Sequence, residues 1–532
     1  MPPFKSGLVV SADPLASRAG LNILKKGGNA IDAAITAAHV LGVTAPAFSG
    51  VGGGGFALIW LADERRSLFI DFREKAPSAA TENMYEISRS GKVRRNENAE
   101  GYRAVAVPGS ISGHALLLEK YGTLRFSQTF DHAIRIARRG FRIGRALAYT
   151  WKRGTPKLRR FKESKRTYLR NGRSIREGSS IALPSLSKSL TAIRREGPQE
   201  VYRGTIARRI VEDMSTNKGL LTAQDLEEFT PTFRDPLRGT YKDYEIISAP
   251  PPSCGGALIL EALNILEDFP LKDYGNRSTH ALHMIAEVLG RGNLNCRTTI
   301  ADPAFSNPPI DRLISKSFAK EMASNLRLDA CSIPSAQTSM PAMPDSNTTH
   351  LVAIDANHNV VSLTESLECY FGSGITVSGT GILLNDTMHD FEPRPGMPNS
   401  VAPVKIPLSS MSPTIVLQAG HPVLALGAAG GPRIVSATFE SLLNVIEYGF
   451  GLDVALAEPR IHLNESHVEL EEPLRPMAKE LRRLGHSVEV KKRMGPGDTG
   501  LYFGGVHAGQ IKEDSSLVGA ADPRRDGFAA GF

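Results

Sequence analysis

Apolar positions in the first sixty residues follow two different periods. Leu15, Ala19 and Ile23 recur at helical spacing behind Asp13-Pro14, which reads as an N-cap with proline in the first helical position. Gly27-Gly28 closes that helix, and Asn29-Ala30-Ile31-Asp32 opens a second, alanine-rich one whose small residues predict close packing. After Thr44-Ala45-Pro46 come Gly50-Val51-Gly52-Gly53-Gly54-Gly55 and then the strand-like apolar run 56–61. From about Thr348 the pattern turns to strands. Residues 349–355 are β-branched and apolar, 356–359 are turn-like and 360–367 alternate, which together predict a hairpin. Residues 382–384, 413–417 and 422–426 read as further strands, and 434–448 as an amphipathic helix. The upstream part is richer in helix. Strands in one block with helices around them predict stacked layers rather than repeated βαβ units.

The glycine run resembles a phosphate loop only in composition. A phosphate loop leaves a strand, ends in Gly-Lys-Ser/Thr and opens a helix. Here the glycines follow a helix, feed a strand and carry no lysine, so they predict close backbone approach in a buried turn.

Composition narrows the class. The chain has 532 residues, 41% hydrophobic and 22% charged, which fits a globular protein with a large core and not a mostly disordered one. Cys254, Cys296, Cys331 and Cys369 form no C-x-x-C pair and have no histidine at ligand spacing, so neither zinc nor a disulfide framework is expected from them. The apolar stretch 8–10 is too short for a secretory signal, and no run reaches the ~18–20 residues of a membrane span; the expectation is a cytoplasmic protein without membrane partners. The net charge is +8, yet 135–176 alone holds sixteen Lys or Arg against one acid, Glu163, leaving the remainder slightly acidic. No nucleic-acid-binding signature accompanies this block, and it reads as a solvated helical face rather than a polyanion site.

The chemistry is concentrated at Asn347-Thr348-Thr349-His350, between a polar stretch (334–346) and the hairpin. A threonine hydroxyl is a poor nucleophile without an adjacent base. Cleavage before Thr348 would free an α-amine of pKa near ~7.7–8.0, so that one residue supplies nucleophile and base. Alone, such a triplet more often simply begins a strand.

The surrounding motifs change that. Asn347 to His350, Pro407-Leu408-Ser409-Ser410-Met411-Ser412-Pro413-Thr414 and Gly430-Gly431-Pro432-Arg433-Ile434 resemble the γ-glutamyltranspeptidase (glutathione hydrolase) family. Asp71-Phe72-Arg73-Glu74-Lys75-Ala76-Pro77, the glycine run, Pro250-Pro251-Pro252-Ser253 with Gly255-Gly256, and Ala521-Asp522-Pro523-Arg524-Arg525-Asp526-Gly527 fit it as well. The resemblance implies an α+β fold of the N-terminal-nucleophile hydrolase type: a four-layer αββα sandwich built jointly by two subunits cut from one precursor. Self-cleavage between Asn347 and Thr348 would give a helix-rich large subunit, 1–347, that contributes Arg73, and a small one, 348–532, that carries the nucleophile. Thr348 would then form a γ-glutamyl acyl-enzyme and pass the acyl group to water or to an amino acid or peptide amine. Glutathione and its conjugates are the implied donors, with no cofactor and no metal.

Carried over residue by residue, Arg73 grips the substrate α-carboxylate, as a planar guanidinium suits. Ser409 and Ser410 donate to the same carboxylate, Asp390 takes the α-ammonium, and the N–H groups of Gly430 and Gly431 form the oxyanion hole. Thr349 assists self-cleavage, while His350 and His389 are read as structural. Three positions depart from the family pattern: Ser366 replaces a common threonine, Glu368 an asparagine, and Thr387 a Gln or Glu near the ammonium. Glu368 is expected to take over part of the ammonium contact. The short segment 392–405 implies a cleft without a long lid, open to bulky or poly-γ-glutamyl donors. The alternative is an amidase of the same family acting on glutaryl or cephalosporin-type side chains. A non-enzymatic polyanion binder is the remaining class. No G-x-S-x-G elbow supports a serine hydrolase.

Overall fold

The structure, a computed structural model, describes residues 3–89, 91–332, 346–464, 467–492 and 500–532. Most of the polar stretch preceding the Asn347–Thr348 bond therefore lies outside the described residues.

Strands of period two build two large sheets, each antiparallel throughout, beside two small ones of three and two strands among the described residues. The seven-stranded sheet runs, edge to edge, Phe528–Gly531, Gly7–Ser11, Ser346–Asp355, Val360–Cys369, Gly54–Leu61, Arg66–Asp71 and Thr232–Arg234. The six-stranded sheet runs Leu517–Ala521, Gly505–Ile511, His421–Ala429, Thr414–Gln418, Tyr244–Ser248 and Leu237–Tyr241. Both take strands from either side of the Asn347–Thr348 bond. The hairpin predicted at 349–367 is the centre of the larger sheet. Residues 382–384 form isolated bridges to Thr376 and Gly52 instead of the strand expected there, because the chain turns at Gly379 and Gly381, both at positive φ.

Alternation sorts the core into two. Val9, Leu351 and Ala353 face the helices Pro14–Lys25 and Ala30–Thr44. Leu8, Val10, Val352 and Ile354 face the second sheet, whose outer side is covered by the helices Gly255–Leu266 and Arg433–Ile446. The layer order is αββα, as the resemblance implies. Sheet-to-sheet contact is close because small residues line it: a Cβ on Gly427 would lie 2.4 Å from the His350 ring, and one on Gly519 2.7 Å from Leu8.

The predicted caps are present. Asp13 Oδ1 accepts from the N–H groups of Leu15 and Ala16, and Asn29 forms a capping box with Asp32. The glycine run is the buried turn its composition suggests. Added Cβ atoms would meet Leu383 O at 2.0 Å from Gly52, Ser366 O at 2.2 Å from Gly53 and Thr364 O at 2.2 Å from Gly55. Cys254, Cys296 and Cys369 are buried free thiols. In the basic block, the helix Arg145–Arg159 buries Leu147, Trp151 and Leu158 and exposes Lys152 and Arg159, the amphipathic face expected. Lys157 is the exception: it turns inward to the Gly372 carbonyl at 2.6 Å and to Asp386 at 3.5 Å.

Candidate active site

Register puts the candidate nucleophile on the inter-sheet face of the larger sheet, where it is buried. Thr348 pairs with Ser366 across the hairpin, and alternation points both side chains to the inter-sheet face. Thr348 Oγ1 lies 3.3 Å from Ser366 Oγ. Ser366 Oγ donates to the Asn347 carbonyl at 3.0 Å and accepts from Glu368 N–H at 2.8 Å. One hydroxyl thus touches both the attacking oxygen and the carbonyl of the bond to be cut.

Arg525 braces the other side of that bond. Its Nη2 donates to Asn347 Oδ1 at 2.6 Å, its Nη1 to Thr348 O at 3.3 Å, and its guanidinium lies 4.9 Å from the Phe48 ring centre. Burial pushes its pKa down to about 10, which still leaves it a cation at neutral pH. Gly505 makes room for it, since a Cβ there would sit 2.5 Å from the Arg525 side chain. Arg525 lies in the Ala521–Gly527 motif, and nothing local to that motif signals its contact with Asn347.

Thr349 faces away from Thr348, toward the helical layer. It pairs across the sheet with Glu365, whose carboxylate meets His114 at 2.7 Å, and its own hydroxyl is buried without a hydrogen-bond partner. Any help it gives to cleavage is indirect in this arrangement. His350 hydrogen-bonds Thr364 at 2.8 Å and is held neutral, its pKa well below the ordinary range through burial and the nearby His507.

From Ser366 the strand leads to Glu368, whose backbone is left-handed at φ 78°. Here four charged side chains converge. Arg73 is ion-paired with Asp390 and donates to the carbonyls of Pro407 and Leu408 at 3.2 Å. Burial, and then the hydrogen-bonded Glu368 carboxyl, push Asp390 well above the usual carboxylate range. Burial also raises Glu74, to about 7. Three carboxyls therefore surround one guanidinium, and burial shifts two of them, Asp390 and Glu74, toward the protonated form. Thr387 is fully buried beside Glu74, and its N–H donates to Asn385 Oδ1 at 3.1 Å.

Asp390, Ser409 and Ser410 line a cleft of about 290 Å³, with His389, Asn399 and Pro432. The Pro250–Ser253 motif braces the serines: Ser409 N–H donates to Pro252 O at 3.0 Å and its carbonyl accepts from Cys254 at 2.9 Å. Ser409 Oγ accepts from Met411 N–H at 3.1 Å, while Ser410 Oγ donates to Gly431 O at 2.8 Å. Gly430 and Gly431 sit at φ 145° and 59°, and a Cβ on Gly430 would lie 2.7 Å from Gly504 Cα. Asn399 fixes the back of the cleft by donating to Asp390 O at 2.7 Å and accepting from Leu408 N–H at 2.9 Å. Glu392, Met397 and Asn399 place the short segment 392–405 as a wall of this cleft.

Residues 16–532 match the Gamma-glutamyltranspeptidase family. The chain is 35% identical to the glutathione hydrolase proenzyme of Escherichia coli (strain K12), an alignment covering 99% of this chain and 92% of that protein. It is 36% identical to the Acylase ACY 1 proenzyme of Pseudomonas sp. (strain SE83), covering 98% and 92%. The crystal structure of cephalosporin acylase from Bacillus halodurans superposes with a TM-score of 0.90 at 27% identity, covering 100% of this chain and 96% of that one.

Proposed function

The chain belongs to the γ-glutamyltranspeptidase family, and from that premise we propose how its own residues cut the precursor and choose the donor. It is a threonine-dependent γ-glutamyl hydrolase and transferase made as a proenzyme, with the N-terminal-nucleophile fold.

The Thr348 hydroxyl attacks the Asn347 carbonyl while Ser366 donates to the carbonyl oxygen, which becomes negative as the tetrahedral intermediate forms. Collapse breaks the C–N bond, the nitrogen takes the proton, and the chain is joined by an ester until water opens it. The products are subunits of 347 and 185 residues, 1–347 and 348–532, held together by the strands each gives to both sheets. The new Thr348 amine then serves as base for its own hydroxyl. The nearby Arg525 cation disfavours the ammonium form, which keeps more free amine at neutral pH.

The observation that carries the donor assignment is the surplus of carboxyls around Arg73. A γ-glutamyl head group is a zwitterion and fits by opening the Arg73–Asp390 pair. Its carboxylate takes Arg73 with Ser409 and Ser410, and its ammonium takes Asp390 with Glu368. The acyl carbon then faces Thr348, and the Gly430 and Gly431 N–H groups receive the oxyanion. A glutaryl donor lacks the ammonium and would leave Asp390 and Glu368 without a cation. The acylase alternative rests on the close superposition with the cephalosporin acylase.

The test compares γ-glutamyl and glutaryl anilides on the processed enzyme and locates the acyl adduct by peptide mass spectrometry. Faster turnover of the γ-glutamyl compound, with the adduct on the first residue of the small chain, is expected. Preference for the glutaryl compound would transfer the assignment to the acylases.

A further inference from the structure

Away from the cleft, three metal-ligating side chains converge in the interior. His283 and Glu287 are one turn apart on the helix Thr279–Thr299 and share a face. His486, just before the strand Ser487–Lys491, packs against them, and all three are buried. One donor atom from each lies within 4.8 Å of the others. The mechanism above uses none of them.

We propose that His283, Glu287 and His486 form a zinc site. The hydrogen bonds around the cluster leave the required lone pairs inward. His283 Nε2 lies 2.6 Å from Arg327 O, which can only accept, so in the neutral ring the proton is on Nε2 and the Nδ1 lone pair points at His486. His283 Nδ1 is 2.6 Å from His486 Nε2, which lies 4.0 Å from Glu287 Oε1. Zinc–nitrogen bonds of ~2.0–2.1 Å at tetrahedral angles set ligand atoms roughly 3.3 Å apart. The observed spacings bracket that value, so the rings separate slightly as the ion enters and the His486 proton moves to Nδ1.

The outer contacts match those of a zinc centre. The His283 N–H to the Arg327 carbonyl is the usual orienting bond of a ligating histidine. Glu287 accepts from the Ser332 N–H at 3.1 Å and from its hydroxyl, and Arg291 holds that serine at 2.9 Å. Two imidazoles and a carboxylate suit zinc, with one position left for water. His486 lies beyond the Asn347–Thr348 bond and the others before it. On the processing reading above, the ion therefore clips the two subunits together; metal binding itself does not depend on that reading.

The test uses full-length protein without a histidine tag, stripped with chelator, dialysed and titrated with zinc or cobalt. One equivalent of zinc by elemental analysis, visible cobalt absorption and a higher unfolding temperature with zinc are expected. Glu287→Gln, which keeps the shape, and His486→Ala should each lose the cobalt signal. Failure of the stripped wild-type protein to bind zinc at micromolar concentration would overturn the site. So would binding unchanged in both variants.

Discussion

Ser366→Ala removes one hydroxyl that the account uses twice. Ser366 Oγ donates to the Asn347 carbonyl at 3.0 Å and stands 3.3 Å from Thr348 Oγ1. Removing one donor to a developing oxyanion costs ~10²–10³-fold in rate, about 2.7–4 kcal/mol. The same oxygen accepts the buried Glu368 N–H at 2.8 Å, and an orphaned buried donor costs about 1–3 kcal/mol of stability. The precursor band on a denaturing gel should therefore persist roughly 10²–10³ times longer than in the wild type. Thermal unfolding of the same sample separates that slowing from loss of fold. Ser366→Thr keeps the oxygen and should process within about tenfold of the wild-type rate, a barrier change near 1.4 kcal/mol. Wild-type processing by the alanine variant would refute the role given to this hydroxyl. Equal slowing by alanine and threonine would assign the effect to packing.

Arg525→Ala removes charge-assisted bonds to the Asn347 side chain and the Thr348 carbonyl. Such bonds contribute about 1.5–3 kcal/mol, so maturation should slow by ~10–100-fold; an unaltered time course on the gel would contradict the bracing role. Glu368→Ala should raise KM for γ-glutamyl donors at least as much as it lowers kcat, and an unchanged KM would refute the ammonium contact. The pH profile adds a sign. Burial and Glu368 raise Asp390, so KM rises as the pH falls through that raised value and the carboxylate takes a proton. Glu368→Gln removes a like charge and should move this acid limb to lower pH; a limb that stays in place argues against the coupling. Stability should also fall on mild acidification. Burial holds His486 at about 4 and His507 at about 3, with His39, His350 and His462 also well below the ordinary range. Unfolded histidines take a proton near ~6.5, so the unfolded state binds more protons below that pH. Each such histidine then removes up to about 1.4 kcal/mol per pH unit. Urea midpoints should drop steeply from pH 7 to 5, and a flat profile would contradict the buried neutral state.

The parts of this fold legible in the sequence are those fixed by local chemistry. Asp13-Pro14 and Asn29 with Asp32 announce their helices because a cap needs only neighbours three residues away. The 349–367 hairpin was readable from alternation, and the reversed order around Gly50–Gly55 already excluded a phosphate loop. Residues 382–384 misled because three apolar residues cannot distinguish a strand from a buried turn. What stayed hidden depends on long-range contact. Arg525 reaches Asn347 across 178 positions, and nothing near either residue records it. The ion pair between Arg73 and Asp390 joins two residues expected to hold opposite ends of one substrate; that charge pattern was legible, but their mutual pairing was not. His283 and His486 stand 203 positions apart, so no local spacing brings them together.

The central claim is a new chain end at Thr348, and intact-mass measurement with N-terminal sequencing of the purified protein tests it most directly. The account predicts two fragments of 347 and 185 residues, the smaller beginning Thr-Thr-His-Leu, and an unbroken chain in Thr348→Ala. Turnover of γ-glutamyl substrate by a single uncut 57.4 kDa chain, or a cut at any other bond, would contradict it.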